Sequence, residues 1–469
     1  MRQLILLITA LCSIHFVHSQ IDSGVLEFGV YRTWVIENHP LSLSAGLQND
    51  LGDAGVQSAR GNFDPELYTK IYDKYYDNKT YYKNRNGGLY IPTWYGIEAK
   101  VNLEQNEGLF LNPENTVPNS GLLAAGISVP LGKDLFIDKR RAELAKAKIY
   151  RDANDAERKD LLNNLLLNAG NAYWLWFNAF HITKIYEDAV EAARIRKDAV
   201  IRGTILGDAP GIDTVEASIQ LQTRQLSLLQ AKLDLQNSIA ELSIYLWDGG
   251  KKPMTLANAT RPPAANVMDS INLKSLQAMS MDSILSIHPL IQQSALKINI
   301  LEIEKRYMAE QLKPKLNLNY NALLQPLGTS PQGINMENYK WGVDFGIPIF
   351  LRTERGNLKK ANIMLEQAQY DFNQKNAAVN LKIIQSINQW SNTFDQIQLY
   401  SKTVKDYSKL LEGEKKRFFG GESSLFMVNA RELGYLNSQI KLTELIAKTH
   451  QYKLKTIHAI GSLYASDLL

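Results

Sequence analysis

The segment KLNLNYNALL, residues 315–324, alternates between two kinds of side chain. Leucine, tyrosine and alanine occupy one set of alternate positions, while Asn317, Asn319 and Asn321 occupy the other. A period of two predicts a β-strand whose two faces meet different surroundings. The surroundings are either a protein core and water, or lipid and water.

Three further segments alternate in the same way: YGIEAKVNL (95–103), LLAAGISVPL (122–131) and YKWGVDFGIPIF (339–350). In the last of these, the aromatic and aliphatic residues oppose a set that includes Lys340 and Asp344. The pattern predicts four strands, at about 91–104, 120–131, 314–325 and 338–350.

The N-terminus, MRQLILLITALCSIHFVHSQ (1–20), has one early arginine, an apolar run from Leu4 to Leu11, and Ser19 before Gln20. This layout predicts a secretory signal peptide. The single cysteine, Cys12, lies inside it, so the exported chain is expected to have no disulfide and no thiolate chemistry. Beyond residue 20, the sequence shows no apolar run long enough for a transmembrane helix.

An exported chain can use such strands in two ways. One is a sheet with one face on a core and the other in water. The other is an outer-membrane barrel, whose strands of about 9–11 residues turn apolar side chains outward. Four strands cannot close a barrel, so sister copies would have to complete it, and three copies give about 12 strands. The lumen would then be lined by Asn317, Asn319, Asn321, Lys340 and Asp344.

The chain also repeats itself. His-Pro-Leu occurs at 39–41 and again at 288–290, and WFNAF at Trp176 corresponds to WSNTF at Trp390. We therefore predict two structural repeats, at 21–248 and 282–469, joined by a linker or equatorial segment at 249–281.

Each repeat contains a long segment free of proline. The sequence predicts long helices at about 135–202 and 353–417, each roughly 100 Å in length. Return helices are predicted at about 213–247 and 424–466. Apolar residues step by three and four along these segments, which indicates coiled packing. A long dimeric coiled coil without a channel is the alternative, and the strand pairs argue against it.

This plan resembles the TolC family of outer-membrane efflux channels, and the turns between the long and return helices carry the most specific motifs. They read GDAPGIDTVEA (207–217) and FFGGESSLFMVNA (418–430). The resemblance implies a mainly α fold with a small β part: a long coiled α-helical barrel plus four transmembrane strands per protomer, which close a 12-stranded barrel in a trimer.

The resemblance also implies roles for the turns, which in this family form the periplasmic entrance and contact an adaptor. The residues concerned are Gly207, Asp208, Phe418, Gly420 and Gly421. Asp213 matches an acid of the family's entrance, and Glu216 would join it; capping of the return helix is the alternative role for Asp213. Met427 and Ala430 stand where the family has acids, and Ser423 stands where an arginine can occur. The family's charge pair is therefore expected to be absent.

The function implied is a passive exit duct of a tripartite efflux or type I secretion system. It would be a homotrimer in the outer membrane of a Gram-negative bacterium, with helices extending into the periplasm. Its partners would be a periplasmic adaptor and an inner-membrane RND, ABC or similar transporter. The alternative is a soluble periplasmic coiled-coil scaffold. The resemblance does not distinguish between a drug, a metal ion and a protein as the exported cargo.

Other classes of function find little support in the sequence. No catalytic or metal motif points to an enzyme, and no cofactor is expected. The net charge of +4 without a basic stripe gives no indication of nucleic-acid binding. The tyrosine-rich stretch 68–95 is either an ordered excursion near the base of the barrel or an enlarged outer loop.

Overall fold

The computed structural model describes residues 24–207, 210–257, 259–265, 280–324 and 337–465. The predicted signal peptide and Asp208 lie outside these ranges. The helices are α1 (Phe28–Asn38), α2 (Pro40–Gly61), α3 (Lys139–Leu206), α4 (Gly211–Ser243), α5 (Met281–Ile287), α6 (Pro289–Glu310), α7 (Arg352–Phe419) and α8 (Leu425–Ile460). The strands are β1 (Glu66–Tyr76), β2 (Lys79–Pro92), β3 (Glu98–Glu107), β4 (Leu122–Pro130), β5 (Lys315–Leu324) and β6 (Tyr339–Gly346).

The predicted fold class, mainly helical with a small antiparallel sheet, is confirmed. Helices α3 and α7 have 68 residues each, and neither contains a proline that would interrupt its backbone hydrogen bonds. In the described ranges, no helix combines the length and the apolar character needed to cross a membrane.

The sheet has six strands in the order β1-β2-β3-β4-β5-β6, and every neighbouring pair is antiparallel. Strands β3 to β6 correspond to the four alternating segments of the sequence. Strands β1 and β2 are two more than the four per protomer that we predicted, and they arise from the tyrosine-rich stretch. Asp77 and Asn78 connect them with φ values of 51° and 57°. Two left-handed residues in a two-residue turn are typical of a tight hairpin.

The chain forms two compact units, each built from several segments. The first comprises the described residues of Met1–Leu43, Leu162–Ala278 and Ile383–Leu469, and the second those of Ser44–Leu161 and Met279–Lys382. Each unit draws on both halves of the sequence. The compact units are therefore not the two predicted repeats, which stay a prediction.

The first unit is built around a core of aromatic and aliphatic side chains. Trp176 and Phe177 of α3 are almost fully buried there. The Tyr31 hydroxyl donates a hydrogen bond to the Ala169 carbonyl (3.2 Å), and the Tyr173 hydroxyl donates one to the Leu26 carbonyl (2.7 Å). Both buried phenols thus have a partner, which removes most of the cost of burying them.

The second unit contains the entire sheet and small helical seams. Val56 and Phe63 pack with Leu144, and the Phe63 ring stacks on Trp94 with 4.2 Å between ring centroids. A second seam is formed by Leu301, Leu365 and Ala368. Leu365 and Ala368 belong to the apolar series that steps by three and four residues along α7.

Candidate functional site

The strand register separates the sheet into two faces of opposite character. Residues that face each other directly across neighbouring strands lie on the same face. One such row crosses β2 to β6 through Leu89, Val101, Ala125, Ala322 and Tyr339. The adjacent row, on the other face, runs through Tyr90, Lys100, Gly126, Asn321 and Lys340. We call these the apolar face and the polar face.

The apolar face is largely exposed. Ile127 is 48% exposed, Val343 51% and Phe345 69%. On the polar face, Asn102 is only 6% exposed, whereas Lys100 and Asp344 are exposed. A sheet that packs on a core shows the opposite arrangement, because its apolar face is the covered one. Within the described residues, no core covers the apolar face of this sheet.

The five residues that we predicted to line a lumen share the polar face. Asn317 faces Asp344 and Asn321 faces Lys340 across the β5–β6 pair. The Asn319 amide donates a hydrogen bond to Asp344 Oδ2 at 2.8 Å. The structure therefore brings these side chains together on one surface, and their role in a lumen stays a prediction.

The polar face continues onto the hairpin that the sequence did not predict. Arg140, near the start of α3, donates to the Tyr90 hydroxyl (3.0 Å) and to Glu98 Oε1 (2.7 Å). The Asn86 amide donates to Glu104 Oε1 at 3.3 Å. Side chains of β2 and β3 therefore form two polar clusters at this face.

The turns between long and return helices use glycine where the backbone is left-handed. Gly207 has φ +82° and Gly421 has φ +76°, and Gly420 precedes the second of these. Phe418 packs on a small cluster of Val200, Ala217 and Leu425. Asp208, predicted as a contact for an adaptor, lies outside the described residues.

The two predicted entrance acids lie on α4. The helix begins at Gly211 with Pro210 at the N-cap, so Asp213 lies in the first turn and is not the cap. Its negative charge near the helix N-terminus is favourable. Glu216 Oε1 accepts a hydrogen bond from the Asn429 amide at 2.8 Å. A role of either acid in an entrance stays a prediction.

A network that the sequence did not reveal joins three helices near these turns. Arg196 of α3 forms an ion pair with Glu432 of α8, in which Nη2 lies 2.7 Å from Oε1 and Nη1 contacts Oε2. Arg196 Nη1 also donates to Asn429 Oδ1 at 2.9 Å. Since Asn429 bonds Glu216 as well, α3, α4 and α8 are connected through four side chains.

The second turn has its own charged cluster. The Ser423 hydroxyl donates to Glu414 Oε1 at 2.5 Å, and Glu414 Oε2 lies 3.7 Å from Arg431 Nε. Arg417 Nη1 is 3.9 Å from Oε1. The hydrogen bond from Ser423, with the two guanidinium charges, holds the pKa of Glu414 below its usual value of 4.5. Ser423 thus stabilises an ionised carboxylate at the turn.

Comparisons with known proteins bear on the family and the fold. Residues 281–453 match the model of a family described as outer membrane efflux protein. The suspected resemblance to outer membrane efflux proteins is confirmed. A search of curated proteins found no match.

Solved structures of outer-membrane channels share the fold. The Campylobacter jejuni CmeC outer membrane channel matches with a TM-score of 0.65 and 14% identity, covering 94% of this chain and 87% of that one. The open state of the Neisseria gonorrhoeae MtrE outer membrane channel matches with a TM-score of 0.66 and 12% identity, covering 94% and 90%. The Vibrio cholerae outer membrane protein VceC gives 0.64 and 14%, covering 92% and 95%.

The two candidate surfaces of this chain are the sheet and the helix turns. Within the described part of the chain, no three side chains of His, Cys, Asp or Glu are grouped to hold a metal ion. Both surfaces offer amide and charged side chains.

Proposed function

We propose that the protein is a passive exit duct of the outer membrane, the last component of a tripartite efflux or type I secretion system. The observation that supports this most is the two-faced sheet. Its apolar face, which includes Val343 and Phe345, is exposed, and its other face carries amides and charges. Lipid is the solvent that suits the first face and water the solvent that suits the second.

Closure of the sheet requires further copies of the chain. A six-stranded open sheet in lipid leaves backbone groups of its end strands unpaired, at a cost of several kcal/mol each by general estimates. A ring of identical protomers removes both edges. We propose a homotrimer in the outer membrane of a Gram-negative bacterium, with the long helices in the periplasm.

The duct supplies no energy and makes or breaks no covalent bond. In this proposal, a periplasmic adaptor contacts the helix turns, including Gly207, Phe418 and Gly421, and an RND, ABC or similar transporter in the inner membrane supplies the energy. The network from Arg196 to Glu216 connects three helices near those turns. Cargo is chosen by the transporter.

The test is electrical. The purified protein, reconstituted into planar lipid bilayers, should give discrete conductance steps, and native mass spectrometry in detergent should give a trimer. A chain that fractionates with soluble periplasmic proteins, needs no detergent and gives no conductance would support the alternative, a coiled-coil scaffold without a channel.

A further inference from the structure

We propose that strand β1 is the surface on which strand β6 of the next copy pairs, so that each protomer contributes six strands to the barrel wall instead of four. This inference rests on the proposed function. The partner is a second copy of this chain. A trimer built in this way has about 18 strands, and its lumen is wider because barrel diameter grows with strand number.

The first support is the continuity of the sheet through the added hairpin. Strand β2 pairs with β3 from Lys83–Glu107 to Pro92–Glu98 without a register shift. The alternation also continues: Leu67 faces Leu89 on the apolar face, and Tyr68 falls on the polar face. The hairpin therefore continues the apolar face at its base, where Leu67 and Leu89 lie. Toward the turn, the same face carries Asp73, Lys83 and Arg85.

The second support is the close fit between β2 and β3. A Cβ atom at Gly88 would lie 2.3 Å from the Val101 carbonyl oxygen and 2.8 Å from Asn102 Cα. Only glycine allows this approach. Together with the hydrogen bond from Arg140 to Tyr90, this fit makes β2 an integral neighbour of β3, so the edge of β3 is already occupied.

The third support is the direction of the two end strands. In a fully antiparallel sheet with an even number of strands, the first and last strands run in opposite directions. Strand β6 of one copy can therefore pair antiparallel with β1 of the next, and the pattern continues around the ring without interruption. Bacterial outer-membrane barrels are built from antiparallel strands in this way.

The fourth support is a register in which the two edges complement each other. With Asp344 opposite Lys70, opposite charges meet on the polar face. Gly342 then falls opposite Tyr72, and no atom lies within 4 Å of the Cβ position of Gly342. A tyrosine opposite a glycine already occurs inside this sheet, where Tyr68 faces Gly88. Aromatic side chains cover glycines of neighbouring strands in designed sheets as well.

The same register has further consequences for both faces. On the apolar face, Val343 meets Ile71 and Trp341 meets Asp73, and on the polar face Gly346 meets Tyr68. Lys340 falls opposite Lys74, and both residues are exposed in the isolated chain. Since one like-charge pair costs only a fraction of a kcal/mol in water, it does not outweigh the other pairs.

The experiment is disulfide cross-linking in native membranes. Cys12, the only cysteine, is first changed to serine. The test variant adds Asp344→Cys and Lys70→Cys, and two companions place the second cysteine at Tyr68 or Tyr72 to cover shifts of two residues. The matched control pairs Asp344→Cys with Lys100→Cys on β3. Mild oxidation and electrophoresis without reductant then report which strands of neighbouring copies meet.

We expect covalent dimers and trimers from at least one β1–β6 pair and none from the Lys100 control. A trimer that is cross-linked through Lys100, or through none of the β1 positions, overturns the six-strand wall and leaves the channel proposal intact. A protein that native mass spectrometry finds to be monomeric, and that gives no conductance, overturns both proposals.

Discussion

Arg196 and Glu432 lie 236 positions apart in the chain and form a two-pronged ion pair between α3 and α8. Their side chains are only 15% and 13% exposed. Because both charges are largely removed from water, each depends on the other for compensation, and Arg196 also donates to Asn429. The pair lies on the same helices as the two turns, so its loss should act first on that region.

The change Arg196→Met should destabilise the helices near the turns. It leaves the Glu432 carboxylate without its partner, and breaking a largely buried pair costs about 3 kcal/mol. Hydrogen exchange of amides in α3 and α8 measures this as a lower local opening free energy. The matched control is the double change Arg196→Met with Glu432→Leu, which removes both charges and should recover much of the loss. Equal losses in the single and double variants would contradict the pairing.

Acid should loosen the second turn through Glu414. Since the folded-state pKa of Glu414 is depressed, its stabilising contribution is complete above the usual value of 4.5 and is lost as the pH falls through the folded-state pKa. The change Ser423→Ala removes the largest cause of that depression, so the acid-dependent loss should be smaller and should be complete at a higher pH. Hydrogen exchange of the amides in 414–431 measures the local opening free energy at each pH, after correction for the pH dependence of intrinsic exchange. Identical pH profiles for Ser423→Ala and the unmodified protein would contradict the role of Ser423.

Strands β3 to β6 were predictable because the two faces of the sheet differ in polarity, and side chains alternate between these faces along each strand. Asn317, Asn319 and Asn321 alternate with apolar residues because one face is apolar and the other polar, and this predicted β5. Strand β1 was not predicted, because tyrosines on both faces hide the alternation of apolar and polar residues. Tyr72 lies on the polar face and Tyr75 on the other. The signal that could have found the hairpin is Asp77-Asn78, a pair suited to a tight turn.

The sequence did not predict the charged networks near the turns. Arg196 and Glu432 each look like an ordinary charge on a solvated helix, and nothing in the sequence states that the two positions meet. The motif resemblance pointed instead to Asp213 and Glu216. The structure adds that Glu216 is bonded by Asn429, which connects the predicted residue to the network that was missed.

His450 should make the first compact unit sensitive to mild acid. Its ring stacks on Trp174 with 3.7 Å between centroids, and burial, helped by the charge of Lys453, lowers its pKa to about 3. Between pH 3 and 6.5 the unfolded chain then binds the proton and the folded chain does not, so stability falls as the pH falls.

The change His450→Phe keeps an aromatic ring and removes the titration. Between pH 7 and about 4.5, the unmodified protein should lose on the order of 2 kcal/mol more stability than the variant. Chemical denaturation at both pH values measures the difference. If the two proteins lose the same amount, His450 is not buried in its neutral form.

The hairpin should depend on Gly88 and not on its neighbour Gly87. At Gly88 an added methyl group would strike the backbone of β3, whereas at Gly87 the nearest atom, the Tyr68 carbonyl oxygen, is 3.5 Å away. Gly88→Ala should therefore weaken the β2–β3 pair by roughly 1–3 kcal/mol, and Gly87→Ala should change it little. Protease sensitivity of residues 66–92 reports the difference. Equal sensitivity of the two variants would show that β2 does not approach β3 this closely.

Asp213 should influence ion selectivity if the turns form the entrance of a conducting trimer. Carboxylates that symmetry brings together attract cations, because their fields add in a narrow opening. Asp213→Lys should therefore reduce cation preference, seen as a smaller reversal potential in a salt gradient across a planar bilayer. The control is Asp234→Lys, a change of the same charge on the same helix more than five turns away. Since Asp213 has no part in the Arg196 network, its replacement should leave the hydrogen exchange of α8 unchanged. A selectivity that shifts equally in both variants would show that total charge matters and that Asp213 does not line the entrance.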